Sequence, residues 1–203
     1  PEMVLVSSVA APKVNRRLAA AARRAGARTR FAKVPRQGGG VKVGYAEPWR
    51  LGVDRFAAAV GAHALFSSVP VCVVGVGTAM TIDLVDADGR HRGGVIIPGP
   101  TLMVETLLMR THGIRRRARG GTAVVVGRSL FGRSTRSGIV QGARHAAAAT
   151  IDQAVQQAEG LVGRRPLVVL TGGGAPAVRG LLHSHWVLVP DLVLRGLGVL
   201  SGT

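Results

Sequence analysis

Along the chain, short apolar runs alternate with segments whose apolar residues recur at helical spacing. A short run rich in β-branched residues at 4–9 is followed, after Pro12, by apolar side chains at helical spacing among several Arg and Lys residues. This pattern predicts a strand, a turn and a basic amphipathic helix. The glycine-rich stretch 36–44 has little apolar periodicity and is predicted to be a loop. A helix is predicted next, over residues 53–66.

Three strands are predicted in the middle of the chain. The continuous apolar run 69–74 predicts the first, and the glycine corner after it turns the chain into a second strand at 80–85. This pair is typical of a hairpin. A third strand ends in the glycine- and proline-rich turn at 93–100, and residues 101–109 are predicted to be helical.

The second half repeats the alternation of helices and strands. Residues 110–128 are predicted to be a basic loop with an apolar segment at 122–126, and residues 139–158 a long alanine-rich helix that Gly160 ends. The remaining elements are a strand at 166–170, a short helix beginning near 176, a strand at 186–189 and a helix from about 191. Such alternation, with glycine-rich corners after strands, predicts an α/β fold with ligand loops at strand ends.

Composition narrows the class of protein. The chain has 203 residues, 47% of them hydrophobic, which is enough for a buried core. The one cysteine, Cys72, excludes an internal disulfide framework and a cysteine-based zinc site, so we expect a reduced, cytoplasmic protein. Glycines and prolines interrupt every apolar stretch before the roughly 18 to 20 residues that span a bilayer. We therefore expect a soluble chain, and we expect further residues before Pro1.

The formal net charge of +17 favours anionic partners. The arginine run 115–119 is compatible with nucleic-acid binding, but a solvated loop is the more frequent reading of such a run. Aromatic residues are 3% of the chain, and only Tyr45, Trp49 and Phe56 resemble a cluster, which disfavours recognition of single strands by stacking. Of the six histidines, only His183 and His185 show metal-ligand spacing, and such alternate residues at a strand end are more often surface residues, so no transition-metal site is predicted.

Two glycine-rich corners are candidate nucleotide contacts. The corner Gly75–Thr81 offers backbone amides and the hydroxyls of Thr78 and Thr81 to phosphate oxygens, although an ordinary hairpin turn is the alternative. The segment Thr171–Ala175 lies between a strand and a helix, where its amides either face a nucleotide or only allow close packing. Each signal is weak alone, and the two together indicate a nucleotide site.

The adjacent pair Asp54 and Arg55 is the candidate for acid–base chemistry. A general base needs a carboxylate near a substrate hydroxyl, and an arginine beside it holds an anionic group and lowers the pKa of that carboxylate. The alternative is that Asp54 caps the predicted helix while Arg55 lies in solvent.

In their order along the chain, these segments resemble the type III pantothenate kinases, including the subgroup named Bvg accessory factor. The matching segments are Ser7–Val9, Tyr45–Pro48, Leu51–Arg55, Gly77–Asp83, Gly93–Gly99, Gly132–Thr135, Thr171–Gly174 and Leu192–Leu197. The resemblance implies an actin-like, ribonuclease H-like kinase fold of two related α/β lobes with mixed sheets, here residues 1–68 and 69–203. It also implies a homodimer that phosphorylates pantothenate with ATP in coenzyme A synthesis.

The same resemblance implies roles for individual residues. The family's general base falls on Asp54, and Thr135 matches the threonine that reaches the substrate from the partner subunit. The pantothenate contacts fall on Tyr45, Gly52, Val53 and Arg55. The ATP contacts fall on Gly77, Thr78, Thr171, Gly172, Gly173 and Gly174.

Three departures from the family pattern affect the expected cofactors. The family's acidic opening loop for the ATP phosphates is not matched, so Mg²⁺ is expected to rely on ATP oxygens, water and an acid upstream of Pro1. Gly75 stands where the family has the Asp associated with K⁺ or NH4⁺, which leaves that requirement without support, and Ser134 replaces an Asn. The rival hypothesis is a non-catalytic relative that acts as a regulatory or nucleic-acid-binding protein.

Overall fold

A computed structural model describes residues 2–119 and 127–202. The chain forms two compact units, one from Pro1–Val71, Asp83–Gly93 and Asp191–Thr203, the other from Cys72–Ile82 and Gly94–Pro190. Both units combine segments that are separated in the sequence, and the division into lobes at residues 1–68 and 69–203 stays a prediction. The apolar segment predicted at 122–126 lies outside the described residues.

Small elements begin the first unit. They are β1 (Met3–Val6), α1 (Pro12–Arg24), β2 (Arg28–Phe31), β3 (Gln37–Gly38), β4 (Val41–Lys42) and a 3-10 turn at Pro48–Arg50. β1 and β2 pair in parallel, with Met3 opposite Arg28 and Val6 opposite Phe31. The sequence pattern does not indicate β2, because the outward arginines of this strand interrupt the apolar pattern that marks a strand. The predicted loop 36–44 contains the short antiparallel pair of β3 and β4.

Two helices form the centre of the first unit. They are α2 (Val53–Leu65) and the C-terminal α7 (Leu192–Ser201), which pack closely against each other. Phe56 and Val60 of α2 are completely buried. Gly196 allows the close approach, since a Cβ atom there would lie 1.7 Å from the carbonyl oxygen of Ala57. α2 is thereby anchored along its length, and its first turn carries the sequence-predicted catalytic residues.

A five-stranded sheet contains the strongest apolar runs. Its strands are β5 (Val71–Val76), β6 (Ala79–Val85), β7 (His91–Pro98), β8 (Leu167–Thr171) and β9 (Trp186–Leu188), in the spatial order β7-β6-β5-β8-β9. β8 and β9 are parallel, whereas β5 and β6 form the predicted hairpin around residues 77–78. The sheet is therefore mixed. β5 and β8 are almost entirely buried, as expected for continuous apolar strands at the centre of a sheet.

Two helices of the second unit differ from the predictions made from the sequence. The described helices of this unit are α3 (Pro100–Arg110), α4 (His112–Ala118), α5 (Thr135–Val162) and α6 (Ala175–Val178), with a 3-10 turn at Arg179–Leu181. The prediction of a loop at Arg115–Arg119 is wrong for most of this run, because α4 continues to Ala118. The prediction that Gly160 ends the long helix is also wrong. α5 continues to Val162 and is capped by Gly163, whose φ of 68° is the left-handed conformation that glycine adopts readily.

Within residues 2–119 and 127–202, no helix has the length and apolar character needed to cross a membrane.

Candidate functional site

The first turn of α2 presents the carboxylate of Asp54 to solvent. Gly52 precedes the helix, and Asp54 lies in its first turn with an exposed side chain. Its Oδ1 accepts a hydrogen bond of 2.9 Å from the backbone N–H of Arg55. A Cβ atom at Gly52 would lie 2.6 Å from the same Oδ1, so a side chain at this position would displace the carboxylate from its observed orientation. The helix N-terminus also favours its negative charge.

The guanidinium of Arg55 pairs with Asp83 of β6 rather than with its neighbour Asp54. Its Nε donates to Asp83 Oδ2 at 2.9 Å and its Nη2 to Asp83 Oδ1 at 2.6 Å. Adjacent residues on a helix do not face each other, which is consistent with the pairing of this guanidinium with a carboxylate of another element. The alternative of an Arg55 in solvent is wrong, since the side chains of Arg55 and Asp83 are both buried.

Tyr45 and His91 complete a polar cluster around this ion pair in the first unit. The Arg55 Nη1 donates to the Tyr45 hydroxyl at 3.3 Å, and the His91 Nε2 lies 2.8 Å from Asp83 Oδ1. Burial alone would lower the pKa of Arg55, but the hydrogen bonds and charge of Asp83, with a contribution from Tyr45, raise it above its ordinary value. Arg55 is therefore a permanent cation within the cluster.

Asp83 and His91 have no role among the site residues predicted from the sequence. Asp83 matched the family pattern only as the end of a motif, and His91 showed no metal-ligand spacing. The available signal was the position of Asp83 between Ile82 and Leu84 in a predicted strand. A charge among buried apolar residues requires a partner.

The two glycine-rich corners meet in the second unit. They line a cavity of about 290 Å³ formed by Gly77, Thr78, Thr101, Leu102, Glu105, Gly173 and Gly174. The backbone N–H of Gly174 donates to the carbonyl of Val76 at 2.9 Å, which fixes one corner against the other. Gly172 has a φ of 90°, and a Cβ atom there would lie 2.4 Å from the Val76 oxygen. Glycine is thus required for both backbone conformation and close approach.

Of the remaining predicted ATP contacts, Thr171 is engaged with the backbone. It is buried, and its hydroxyl donates to the carbonyl of Pro190 at 3.3 Å. Gly75 lies on β5, where a Cβ atom would be 3.1 Å from Thr81 Oγ1. A carboxylate at this position would therefore need a small adjustment of Thr81.

Thr135 is the first residue of α5 and is partly exposed. Ser134 caps this helix: its hydroxyl accepts from the Ser137 N–H at 3.1 Å, and its own N–H donates to the Ser137 hydroxyl at 2.9 Å. The Ser134 that replaces the family's Asn is thus a competent N-cap residue. The contact of Thr135 with substrate in a partner subunit stays a prediction.

The suggested aromatic cluster is not present. Phe56 is completely buried, whereas Trp49 is 68% exposed and stacks on the Arg50 guanidinium at 4.5 Å. Tyr45 instead contacts His91, with ring centroids 5.5 Å apart. Among the residues that the structure describes, no three His, Cys, Asp or Glu side chains are grouped as a metal would need.

The sequence is similar to known enzymes over most of its length. The profile of the type III pantothenate kinase family matches residues 1–157. A type III pantothenate kinase of Stenotrophomonas maltophilia is 40% identical over 195 residues, covering 95% of this chain and 75% of that enzyme. One from Xanthomonas axonopodis pv. citri is 36% identical over 197 residues, covering 97% of this chain and 74% of the relative.

Solved structures support the predicted fold class. A Campylobacter jejuni protein assigned to the Baf family of transcriptional activators has a TM-score of 0.51 at 18% identity, over 93% of this chain and 79% of its own. A Sinorhizobium meliloti protein assigned as a 2-dehydro-3-deoxygalactonokinase has a TM-score of 0.51 at 16% identity, over 86% and 65%. At these identities the likeness concerns the fold alone, and it confirms the predicted α/β kinase fold.

The family profile and the relatives extend across the Gly–Val–Asp–Arg turn of α2 and the glycine corner at Thr78. They favour the kinase over the rival hypothesis of a regulatory or nucleic-acid-binding relative. This chain belongs to the type III pantothenate kinase family.

Proposed function

We propose that this protein transfers the γ-phosphoryl group of ATP to the primary hydroxyl of pantothenate, which yields 4'-phosphopantothenate and ADP. The observation that carries the proposal is the 40% identity to an enzyme of this name over 95% of the chain. The product is the first intermediate of coenzyme A synthesis from pantothenate. In each turnover the substrate oxygen attacks the γ-phosphorus, the bond to the β-phosphate oxygen breaks, and the hydroxyl proton leaves.

The first unit supplies the groups for pantothenate. Asp54 accepts the hydroxyl proton, a role supported by its exposed carboxylate and by the space that Gly52 leaves for it. Arg55 holds the pantothenate carboxylate with N–H groups that Asp83 and Tyr45 do not use. Tyr45, Gly52 and Val53 form the rest of this contact, as the resemblance implies.

The second unit supplies the groups for ATP. The cavity at Gly77, Thr78, Gly173 and Gly174 offers small residues and a hydroxyl to phosphate oxygens. Mg²⁺ in kinases neutralises charge on these oxygens and keeps several water ligands. The residues here fit that arrangement, since the cavity lining includes one carboxylate, that of Glu105, and the hydroxyl of Thr78, a predicted ATP contact. Glu105 would hold the ion directly or through water. With Gly75 in place of the family's Asp, the requirement for K⁺ or NH4⁺ is left without support from this position.

The protein acts as a cytoplasmic homodimer of the Bvg accessory factor subgroup, in which Thr135 completes the pantothenate site of the partner. These finer proposals rest on the resemblance. The partly exposed position of Thr135 at the start of α5 is compatible with such a contact.

The Asp54→Asn variant tests the proposed reaction. Removing a general base lowers turnover by about 10²- to 10⁴-fold, whereas the binding of pantothenate should change little because Asn keeps the size of the side chain. The measurement is ADP formation that depends on pantothenate, together with calorimetric binding of pantothenate.

The matched control is Asp88→Asn, which changes an exposed carboxylate whose side chain forms no hydrogen bond to a described residue. It should retain wild-type turnover. If wild-type protein produced no pantothenate-dependent ADP, the proposed function would be wrong. If Asp54→Asn were as active as the control, Asp54 would have no role as a base.

A further inference from the structure

Arg55, Asp83 and His91 form a buried chain of hydrogen bonds in the first unit. The side chains of Arg55 and Asp83 are 7% and 2% exposed, and that of His91 is 1% exposed. A buried charge or donor has no contacts with water that could replace a lost hydrogen-bond partner. Leaving one of these groups without its partner therefore costs considerable free energy. Their joint burial therefore fixes their mutual geometry.

Asp83 binds only one edge of the Arg55 guanidinium. The carboxylate accepts from Nε and Nη2, and the Tyr45 hydroxyl accepts from Nη1 at 3.3 Å. The other N–H groups of Arg55 have no acceptor among the described residues. A guanidinium held by a bidentate contact on one edge presents its opposite edge in a fixed direction, which suits the planar geometry of a second carboxylate.

His91 supports Asp83 from the other side. A carboxylate only accepts hydrogen bonds, so the His91 Nε2 at 2.8 Å from Oδ1 is the donor. Oδ1 thus accepts from both Arg55 and His91, and Oδ2 from Arg55. The His91 ring also lies against Tyr45, at a centroid distance of 5.5 Å. His91 therefore limits rotation of both groups that touch Arg55.

We propose that Asp83 and His91 are positioning residues, which hold the free edge of the Arg55 guanidinium in the orientation that binds the substrate carboxylate. This inference rests on the proposed function. Neither residue touches the reacting atoms. Their effect is on the recognition of a charged substrate, so it should vanish for a substrate that has no carboxylate.

The experiment compares pantothenate with the analogue whose carboxylate is replaced by a primary alcohol. In Asp83→Asn, the side-chain amide keeps one oxygen acceptor and places an NH2 group where the other carboxylate oxygen was. This NH2 group faces an N–H donor of the guanidinium, so Arg55 is misoriented. We expect KM for pantothenate to rise by about 10- to 100-fold, the range that a charged hydrogen bond accounts for. KM for the alcohol and for ATP should stay within about twofold of wild type.

His91→Phe provides a second variant that keeps a ring beside Tyr45 but removes the donor to Asp83. We expect the same selective change, reduced to about 3- to 10-fold, because a single hydrogen bond is lost. Asp88→Asn, in the connection between β6 and β7, is the matched control and should leave both KM values unchanged. If Asp83→Asn does not fold, as judged by its Tm, His91→Phe decides the question.

Equal changes of KM for pantothenate and for the alcohol in both folded variants would overturn the proposal, and so would no change in either. Failure of the wild-type protein to phosphorylate both compounds would instead reject the proposed function. In that case, NMR of the Arg55 Nε–H still tests the positioning: its exchange with solvent should be at least about tenfold faster in His91→Phe. Unchanged exchange would overturn the inference independently of activity.

Discussion

Asp54 illustrates how a single neighbouring residue controls a reactive group. Its carboxylate occupies the space that a side chain at Gly52 would fill, and its Oδ1 is held by the Arg55 N–H. The guanidinium of the same Arg55 points to Asp83. The side chains of these adjacent residues thus lie in different surroundings, that of Asp54 exposed and that of Arg55 buried, because successive positions on a helix face different directions.

The Gly52→Ala variant should lower turnover without unfolding the protein. A Cβ atom would lie 2.6 Å from Asp54 Oδ1, and the short side chain of Asp54 would rotate away to avoid it. We expect kcat to fall by about 10- to 100-fold, because misplacing a catalytic group by about 1 Å has an effect of this size. Steady-state kinetics and thermal unfolding together check this. A Gly52→Ala protein with full kcat would show that the position of Asp54 is not limiting.

At the scale of elements, close contact between α2 and α7 depends on glycine. A Cβ atom at Gly196 would lie 1.7 Å from the Ala57 oxygen, and one at Gly61 would lie 2.5 Å from the Leu192 oxygen. Both obstacles are backbone atoms, which do not move aside as a flexible side chain does. Since Asp54 and Arg55 lie on the first turn of α2, the packing of α7 against α2 also fixes the position of these two residues.

Gly196→Ala and Gly198→Ala should have opposite effects on stability, although both lie on α7. Gly196→Ala should lower the free energy of unfolding by at least about 2 kcal/mol through overpacking. At Gly198 no heavy atom lies within 4 Å of the added Cβ, so Ala should raise it by about 0.5–1 kcal/mol through helix propensity. Denaturant unfolding measures both. Equal effects of the two substitutions would contradict the close contact at Gly196.

Asp152 of α5 binds the segment before β9. It accepts from the backbone N–H groups of His183 and Ser184, at 3.1 and 3.0 Å, and from the Ser184 hydroxyl at 2.7 Å. Partial burial alone would raise the pKa of Asp152, but the hydrogen bonds from Ser184 and His183 lower it below its ordinary value of 3.8. The ionised form is thus favoured by folding.

The sign of this shift predicts a loss of stability in acid. A carboxyl group whose pKa is lower in the folded state contributes its full stabilisation when the pH is above its pKa in the unfolded state. This stabilisation is lost as the pH falls through its pKa in the folded state. Asp152→Asn should lower the free energy of unfolding by about 1–3 kcal/mol at pH 7. The difference from wild type should shrink below about pH 4. A difference that stayed constant down to about pH 2 would contradict this assignment.

At the scale of the whole molecule, the charge of +17 affects how copies associate. A homodimer of such chains requires an interface that is largely apolar, with arginines at the rim, where water and salt screen them. Dimerisation should therefore strengthen as ionic strength rises.

Subunit exchange tests the shared site that we propose for the dimer. Thr135→Ala and Asp54→Asn should each have low activity as homodimers. In a mixed dimer, one site carries both changes and the other carries none, so activity should recover towards about a quarter of wild type for random mixing at equal amounts. Light scattering confirms the dimer, and labelled subunits confirm exchange. No recovery despite complete exchange would rule out the shared site.

The sequence by itself determined most helices and strands of this protein. Apolar runs marked β5, β6 and β8, and helical spacing with Gly52 before it marked α2, because these local patterns reflect burial on one or both faces. Ordered motifs also indicated the family. Local patterns failed where polar residues formed regular structure, as in β2 and α4, whose arginines resemble those of a solvated loop.

Only the tertiary structure decided the partners of the charged residues. Nothing in the spacing of Arg55, Asp83 and His91 indicates that they meet, since hydrogen bonds join residues 28 and 8 positions apart. Likewise, the sequence marks Gly77 and Gly174 as turn residues, but the hydrogen bond from Gly174 to Val76 brings the two corners together. Sequence periodicity records which face of an element is buried. Which group neutralises a buried charge depends on the packing of distant segments, where the cost of an unpaired charge selects the partner.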